Sequence, residues 1–176
     1  AQGIAFLPAD RKTEGLFLEH DVKYNISISN LKELIKGWIR GGPERAIAQD
    51  FVTKLDIRTP SIYQTARNLS GGNQQKVMIA RWLFARPKIL IFEEPTRGID
   101  VNAKVEVYKL IGQIVKEGGA VIIVSSELPE LEGICDRVIV MHNGAIAAEL
   151  QRGQLSQEAI AYYSVTRSGE GFNGSK

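Results

Sequence analysis

Short apolar runs alternate along this chain with stretches in which apolar residues recur at helical spacing. Continuous apolar runs at 89–92 and 121–124 predict strands covered on both faces, as in a parallel sheet. Between them, apolar positions three and four residues apart predict a helix over about 102–116. Because strands and helices alternate in this way, the pattern favours an α/β fold.

The remaining elements follow from the same periodicities and from turn residues. Residues 3–8 predict a short strand, and a charged turn at 10–15 follows it. The Asn143-Gly144 pair is a strong hairpin signal. After residue 124, the pattern predicts a short helix around 127–133, strands at 138–141 and 145–150, and a last helix near 155–161.

A long middle stretch, about 30–86, carries helical spacing and little strand signal. Gly41-Gly42-Pro43 is expected to break the helical run of about 30–56, and a further helix is expected to end before Pro87. The pattern therefore predicts one domain over 1–165 with an inserted helical subdomain at about 30–86. Residues 166–176 are expected to form a flexible tail.

Composition narrows the class of protein. The 176 residues are 44% apolar, which is typical of a soluble globular domain, and no apolar run is long enough to cross a bilayer. A net charge of +2 is too small to favour nucleic acid. The single cysteine, Cys135, favours a reducing cytoplasm. Since the chain opens on a predicted strand with no initiator Met, we expect a truncated domain.

The most specific segment is Asn68-Leu69-Ser70-Gly71-Gly72-Asn73-Gln74-Gln75-Lys76. Two glycines without a Cβ allow a ligand close to the backbone, and the helix that follows directs free N–H groups at the same place. With the Ser70 hydroxyl these groups would suit a terminal phosphate. An ordinary serine N-cap with flexible glycines is the alternative for Ser-Gly-Gly alone.

A second segment, Ile89 to Asp100, reads ILIFEEPTRGID. An apolar strand that ends in Glu93 and Glu94 places two carboxylates at the carboxyl edge of a parallel sheet, where such folds bind ligands. One acid can support Mg²⁺ and the next can orient or deprotonate a water. A pair of solvated acids at the start of a turn is the alternative.

LSGGNQQK, a helix and then ILIFEEPTRGID resemble the order of signature motif, Walker B strand and D-loop in ABC ATPases. With SSELPELEGICDRVIVMHNG the resemblance covers about 68–150. The front segment GIAFLPADRKTEGLF is similar to the Q-loop region of sugar importers of the ribose, galactose and xylose type, whose ATPase subunit has two ABC domains. The similarity is to the C-terminal part of the second domain, and it implies a partial P-loop NTPase fold with a mostly parallel sheet.

The resemblance also implies roles for single residues. Glu94 matches the catalytic base, Glu93 the Mg²⁺-supporting Walker B position, and Asp100 the D-loop residue that bridges two domains. The signature residues implied to contact ATP held by a partner domain are Ser70, Gly71, Gly72, Asn73 and Gln74. The implied cofactors are ATP and Mg²⁺, and the metal is bound through ATP and not directly by the chain.

By the same resemblance, the chain belongs to a subunit that couples ATP binding and hydrolysis to carbohydrate uptake. Its implied partners are the permease membrane subunits, reached through 10–16 and the helical subdomain, and a second ABC domain in the same chain or in a dimer. A periplasmic sugar-binding protein is an indirect partner, and nucleic acid is not one. The implied location is the cytoplasmic face of a bacterial inner membrane.

Three positions depart from the family pattern, and one motif does not occur. No Gly-Lys dipeptide is present, so there is no P-loop, and we expect the 176-residue chain to be inactive alone. Ala9 stands at the Q-loop position, Ser126 at the switch histidine, and Glu93 where Walker B has Asp. We therefore expect this domain's own site to hydrolyse ATP weakly.

Two other classes stay open. A non-transport ABC-type ATPase acting on DNA or the ribosome would carry a similar signature, although no heptad repeat and no strong positive charge supports it. A non-catalytic domain that dimerises or docks on a permease is the other. ATP titration separates them, since micromolar binding by the isolated chain would contradict the trans-acting interpretation.

Overall fold

The computed structural model of the chain describes residues 3–36, 38–39 and 41–166. The chain forms two compact units, of which one ends at Val124 and the other begins at Ser125. The predicted domain over 1–165 thus contains two structural units. The predicted tail lies outside the described residues from 167 onward.

Helices and strands alternate over most of the described chain. The strands are β1 (Ile4–Leu7), β2 (Ile35–Lys36), β3 (Trp38–Ile39), β4 (Ile89–Glu93), β5 (Ala120–Val124), β6 (Arg137–His142) and β7 (Ala145–Gln151). The α-helices are α1 (Val22–Ser27), α2 (Leu31–Leu34), α3 (Gly41–Lys54), α4 (Gly71–Phe84), α5 (Val101–Lys116), α6 (Leu128–Ile134) and α7 (Gln157–Val165). The α/β class predicted from the sequence is confirmed.

A three-stranded parallel sheet forms the core of the first unit. Its order is β1-β4-β5, so β1 and its neighbour in the sheet, β4, are far apart in sequence. Leu7 lies beside Phe92, and Phe92 beside Ile123. All three strands therefore end at one edge of the sheet, and the two predicted acids are at that edge.

The two faces of this sheet are unequally covered. Leu7, Leu90 and Phe92 are at most 1% exposed, whereas Ile122 and Val124 on β5 are 51% and 54% exposed. The prediction that 121–124 is covered on both faces is therefore wrong. An apolar run shows that a strand suits burial, but the layer that covers it comes from elsewhere in the chain.

The middle stretch differs from its predicted helical pattern near its beginning, whereas α4 ends at Phe84, before Pro87, as predicted. Helix α1 was not predicted, yet it packs against α3 and α4. Between α2 and α3 the chain forms the antiparallel pair β2–β3. Gly41-Gly42-Pro43 begins α3 and does not break a helix. Pro43 is tolerated there because a first-turn residue needs no N–H for the helical ladder.

A buried arginine fixes the segment before α1 onto α4. Arg81 donates to the Asn25 carbonyl at 2.9 Å, to Asn25 Oδ1 at 2.7 Å and to the Gly15 carbonyl at 2.6 Å. Burial lowers the pKa of Arg81 to about 10. Asn25 is fully buried and bonds Phe17 through both its side-chain amide and its side-chain carbonyl. This polar cluster anchors to α4 the stretch between the π-helix Arg11–Gly15 and α1.

The second unit is built on the predicted hairpin. Strands β6 and β7 pair antiparallel, and Asn143 and Gly144 both have positive φ values of 48° and 79°. Those values are what a two-residue hairpin turn of this kind requires. Helix α7 packs on β6. None of the helices within the described residues is both long and apolar enough to span a bilayer.

Candidate functional site

Two acids lie at the carboxyl end of β4. Glu93 is the last residue of the strand, and its Oε2 accepts a hydrogen bond from the Ala9 N–H at 3.3 Å. The N–H of Glu94 donates to the Val124 carbonyl at 2.8 Å. The pair therefore ties together the ends of all three strands of the parallel sheet.

The backbone at Glu94 is left-handed, with φ of 44°. That conformation is uncommon for a residue with a Cβ and costs on the order of 1 kcal/mol or more. It is held by the bond to Val124 and by a second bond, from the Arg97 N–H to the Glu94 carbonyl at 3.1 Å. The chain consequently turns sharply at the predicted catalytic base.

The predicted D-loop residue has a clear structural contact. Asp100 is the N-cap of α5, and its Oδ1 accepts from the Ala103 N–H at 3.0 Å. It is exposed, so its carboxylate also faces solvent. The capping role is one that the sequence signals, since an aspartate stands directly before a helical pattern.

The signature serine stands at the N-terminus of α4. Ser70 occupies the N-cap position but makes no side-chain capping hydrogen bond. Its Oγ instead accepts from Asn73 Nδ2 at 2.9 Å, and Asn73 Oδ1 accepts from the Arg58 N–H at 2.8 Å. The ordinary capping interpretation does not describe this geometry, because the exposed hydroxyl is held beside the helix N–H groups without capping them.

Close packing at both signature glycines leaves too little room for a Cβ. A Cβ on Gly72, which is buried, would lie 2.6 Å from the Ala103 Cβ of α5. A Cβ on Gly71 would lie 2.7 Å from Arg11 Nη2 and 3.2 Å from the Gly98 carbonyl oxygen. The sequence alone predicts approach of a ligand at these glycines, and it carries no signal for the close contact of Gly72 with α5.

Gln74 points inward. It is 5% exposed, its Nε2 donates to the Ala66 carbonyl at 3.1 Å, and its Oε1 accepts from Arg11 Nε at 3.3 Å. The structure therefore does not bring the Gln74 side chain to the surface beside Ser70. Any effect of Gln74 on a nucleotide would act through Arg11 or the backbone, and the predicted direct contact stays a prediction.

Ser126 belongs to the second unit. It is exposed and lies in the sequence between β5 and α6. Ala9, at the predicted Q-loop position, is half-buried in the first unit and contributes its backbone N–H to Glu93. Because alanine has no polar side-chain atom, that N–H is the group Ala9 can offer at the sheet edge.

An ion pair between a buried lysine and a partly exposed glutamate joins the signature helix α4 to α5. Lys76 is 3% exposed and its Nζ lies 2.9 Å from Glu106 Oε2 on α5 and 2.7 Å from the Asp56 carbonyl. The Lys76 hydrogen bond lowers the pKa of Glu106. The residues next to Lys76 in the sequence do not signal its burial, because its partners Asp56 and Glu106 lie 20 or more residues away.

The donor set fits the implied ligands. Helix N–H groups with an exposed hydroxyl suit phosphate oxygens, and paired carboxylates at a sheet edge suit Mg²⁺. At the same edge, Asp10 accepts from the Lys12 N–H at 2.8 Å, and this bond is the main cause that lowers the pKa of Asp10. Within the described residues, no cluster of His, Cys, Asp and Glu forms a metal site.

The fold is that of an ATP-binding cassette. It matches the cassette MJ1267 with a TM-score of 0.75 at 21% identity, over 93% of this chain and 69% of that one. It also matches MJ0796, solved as a dimer in a post-hydrolysis state bound to ADP and Pi, with a TM-score of 0.71 at 22% identity, over 86% of this chain and 63% of that one. At these identities the likeness shows the fold alone.

Residues 2–97 match the family described as ABC transporter, and the chain belongs to that family. It is 49% identical over 163 residues to a ribose import ATP-binding protein of Shouchella clausii, covering 92% of this chain and 33% of that protein. It is 47% identical over 169 residues to a putative ribose/galactose/methyl galactoside import ATP-binding protein of Burkholderia ambifaria, covering 94% and 33%. The chain spans about a third of the length of these relatives, and the predicted resemblance is confirmed.

Proposed function

We propose that the chain acts as the signature-bearing part of the ATP-binding subunit of an ABC importer for monosaccharides. The relatives that it resembles over most of its length are named as ribose and galactose import ATP-binding proteins. In this role it couples ATP binding and hydrolysis to carbohydrate uptake. Its place is the cytoplasmic face of a bacterial inner membrane.

The exposed Ser70 hydroxyl at the N-terminus of α4 carries the proposal. The first N–H groups of a helix have no intrahelical partners, and the helix dipole is positive at that end. Ser70 is held by Asn73 and does not cap these groups. A γ-phosphate bound by a partner ABC domain would accept hydrogen bonds from the Ser70 hydroxyl and from the first N–H groups of α4. The contacting residues would be Ser70, Gly71 and Asn73.

The residues at the sheet edge serve the chain's own half of a composite site. Glu94 would orient or deprotonate the attacking water, and Glu93 would support a Mg²⁺ ion, which would supply positive charge to the phosphates of a bound ATP. Asp100, exposed at the start of α5, faces the partner domain. All three roles require a nucleotide, which this sequence has no P-loop to hold.

We expect the chain's own site to be weak in hydrolysis. Ala9 has no side-chain amide, and its backbone N–H donates to Glu93, so one oxygen of that carboxylate is already engaged. Ser126 has no titratable ring to match a switch histidine. The isolated chain is accordingly expected to be inactive, while its signature surface completes a site on another domain.

The proposed partners follow from the proposed role. A second ABC domain supplies the nucleotide that Ser70 contacts. Permease subunits would contact the turn at 10–16 and the predicted helical subdomain at about 30–86. A periplasmic sugar-binding protein would act only through the permease. The exposed Phe17, which lies within 5.1 Å of the Arg81 guanidinium, is next to that turn and offers an apolar contact.

The test is a chimera in which this chain replaces the matching segment of the Shouchella clausii relative. Ser70→Ala should lower ATP turnover about 100-fold, because removal of one donor to the charge that develops in a transition state typically costs about that factor or more. Ser164→Ala is the matched control, since the hydroxyl of this exposed serine donates to the Ala161 carbonyl of its own helix, and the substitution leaves the Ser164 backbone carbonyl unchanged. Unchanged turnover in Ser70→Ala would contradict the proposed function.

A further inference from the structure

Arg11 joins three segments that are distant in sequence. Its Nη1 donates to the Arg97 carbonyl at 2.8 Å, and its Nη2 donates to the Gly98 carbonyl at 3.0 Å. Its Nε donates to Gln74 Oε1 at 3.3 Å. One side chain thus links the turn after β1, the first turns of α4 and the loop that leads to Asp100.

The contact requires the shape of a guanidinium. Two successive carbonyls and one amide oxygen are met by three nitrogens of a planar group with fixed geometry. A lysine ammonium has three donors at a single point and cannot face all three acceptors in the same way. The neighbouring Lys12 has an exposed side chain, and its backbone N–H donates to Asp10 Oδ1.

The signature glycine leaves room for this contact. A Cβ at Gly71 would lie 2.7 Å from Arg11 Nη2, 3.2 Å from the Gly98 oxygen and 3.4 Å from Ile99 Cγ2. The backbone of the signature loop therefore lies directly against the loop at 97–99. Gly98 itself has φ of 69°, a conformation that favours glycine and turns its carbonyl region toward Arg11.

We infer that Arg11 is a positioning residue that holds the Ser70 end of α4 and the loop before Asp100 in a fixed relation. The two segments would then meet a partner domain as one surface. This inference rests on the proposed function for its purpose, but the linkage itself is a property of the chain without nucleotide. Arg11 acts through its acceptors and has no assigned contact with ATP.

The experiment uses the 176-residue chain without nucleotide and follows amide exchange and carbonyl ¹³C shifts by NMR. Arg11→Ala should speed exchange about tenfold or more at the hydrogen-bonded amide of each segment, Gln74 N–H, which donates to the Ser70 carbonyl, and Arg97 N–H, which donates to the Glu94 carbonyl, because the charge-assisted bonds that hold the two segments are lost. The ¹³C resonances of the Arg97 and Gly98 carbonyls should move. Arg11→Lys should restore part of the protection, and Lys12→Ala should change neither segment.

The exchange rates of the Val107 and Ile111 amides, buried on α5, distinguish loss of a local linkage from a general loss of stability. If exchange there stays slow while both segments open, the inference holds. If only one segment opens, if neither does, or if α5 opens equally, it is overturned. Because no nucleotide is present, failure here leaves the proposed function standing, and failure of the Ser70→Ala test leaves the linkage standing.

Discussion

Some important residues of this chain can be recognised from the sequence, and others can be recognised only from the fold. Ser70, Glu93 and Glu94 were singled out from spacing and residue type alone, because an apolar strand ending in acids and a serine before a helix are local patterns. Arg11 and Lys76 could not be found in that way. Their partners lie tens of residues away, and a basic side chain in a polar stretch of sequence is usually solvated.

The pair formed by Lys76 and Glu106 predicts a pH dependence. The pKa of Glu106 is lowered from its ordinary 4.5, first by the Lys76 hydrogen bond. Its contribution is therefore fully present above pH 4.5 and is lost as pH falls through the lower value in the folded state. Glu106→Gln should flatten the acid side of the stability curve and cost about 1 kcal/mol at neutral pH, since the carboxylate is 35% exposed.

Urea unfolding between pH 3 and 7 measures this effect. Glu14→Gln, a change of the same charge at an exposed turn residue, is the control. A stability curve for Glu106→Gln that keeps the acid slope of the unaltered chain would show that Lys76 does not set the ionisation of this carboxyl group.

Cys135 gives a second prediction at this scale. Burial is the main cause that raises its pKa above the ordinary thiol value, and the charge of Glu130 adds to it. The thiol should therefore be largely protonated at neutral pH and react with iodoacetamide more slowly than free cysteine. Mass spectrometry of alkylation at pH 7.5 measures this rate. Reaction as fast as that of free cysteine would contradict the assigned environment.

Among the elements, α4 and α5 show how much depends on one pair of small residues. The two helices approach closely where Gly72 faces Ala103. Gly72→Ala should cost about 1–3 kcal/mol of unfolding free energy through overpacking. Gly112→Ala is the matched control, because a Cβ at this position on α5 meets nothing within 4 Å and should stabilise the helix by about 0.5–1 kcal/mol.

Thermal and urea unfolding of both variants decide the question. Adding Ala103→Gly to Gly72→Ala should recover part of the loss, because it removes the methyl group that is in the way. If Gly72→Ala is as stable as the unaltered chain, the glycine is kept for another reason, and approach of a ligand becomes the better explanation.

Elements with a long and regular pattern were predictable, and short ones were not. Helix α5 and the β6–β7 hairpin agree with their predictions because each has its own periodicity or turn signal. Helix α1 has six residues, and its order depends on the Arg81–Asn25 cluster, which joins positions 56 residues apart. The start of α3 was misjudged because Gly-Gly-Pro signals both the end of one helix and the first turn of the next.

For the molecule as a whole, the unequal cover of the parallel sheet has a measurable consequence. Leu90→Ala should cost about 2–5 kcal/mol, as is usual for a fully buried leucine. Ile122→Ala on the exposed face should cost under about 1 kcal/mol. Unfolding at two protein concentrations measures both. Equal costs, or a cost at Ile122 that rises with concentration, would show that this face is covered in solution.

The central claim is that the chain contributes more to hydrolysis of ATP bound by a partner domain than to hydrolysis of ATP at its own site. The most direct test compares two variants of the chimera with the Shouchella clausii relative in ATP single-turnover assays. Ser70→Ala removes the signature contact offered in trans, and Glu94→Gln removes the proposed base of the chain's own site. We predict that Ser70→Ala abolishes most of the hydrolysis while Glu94→Gln leaves most of it. The reverse order, or equal losses, would contradict the account.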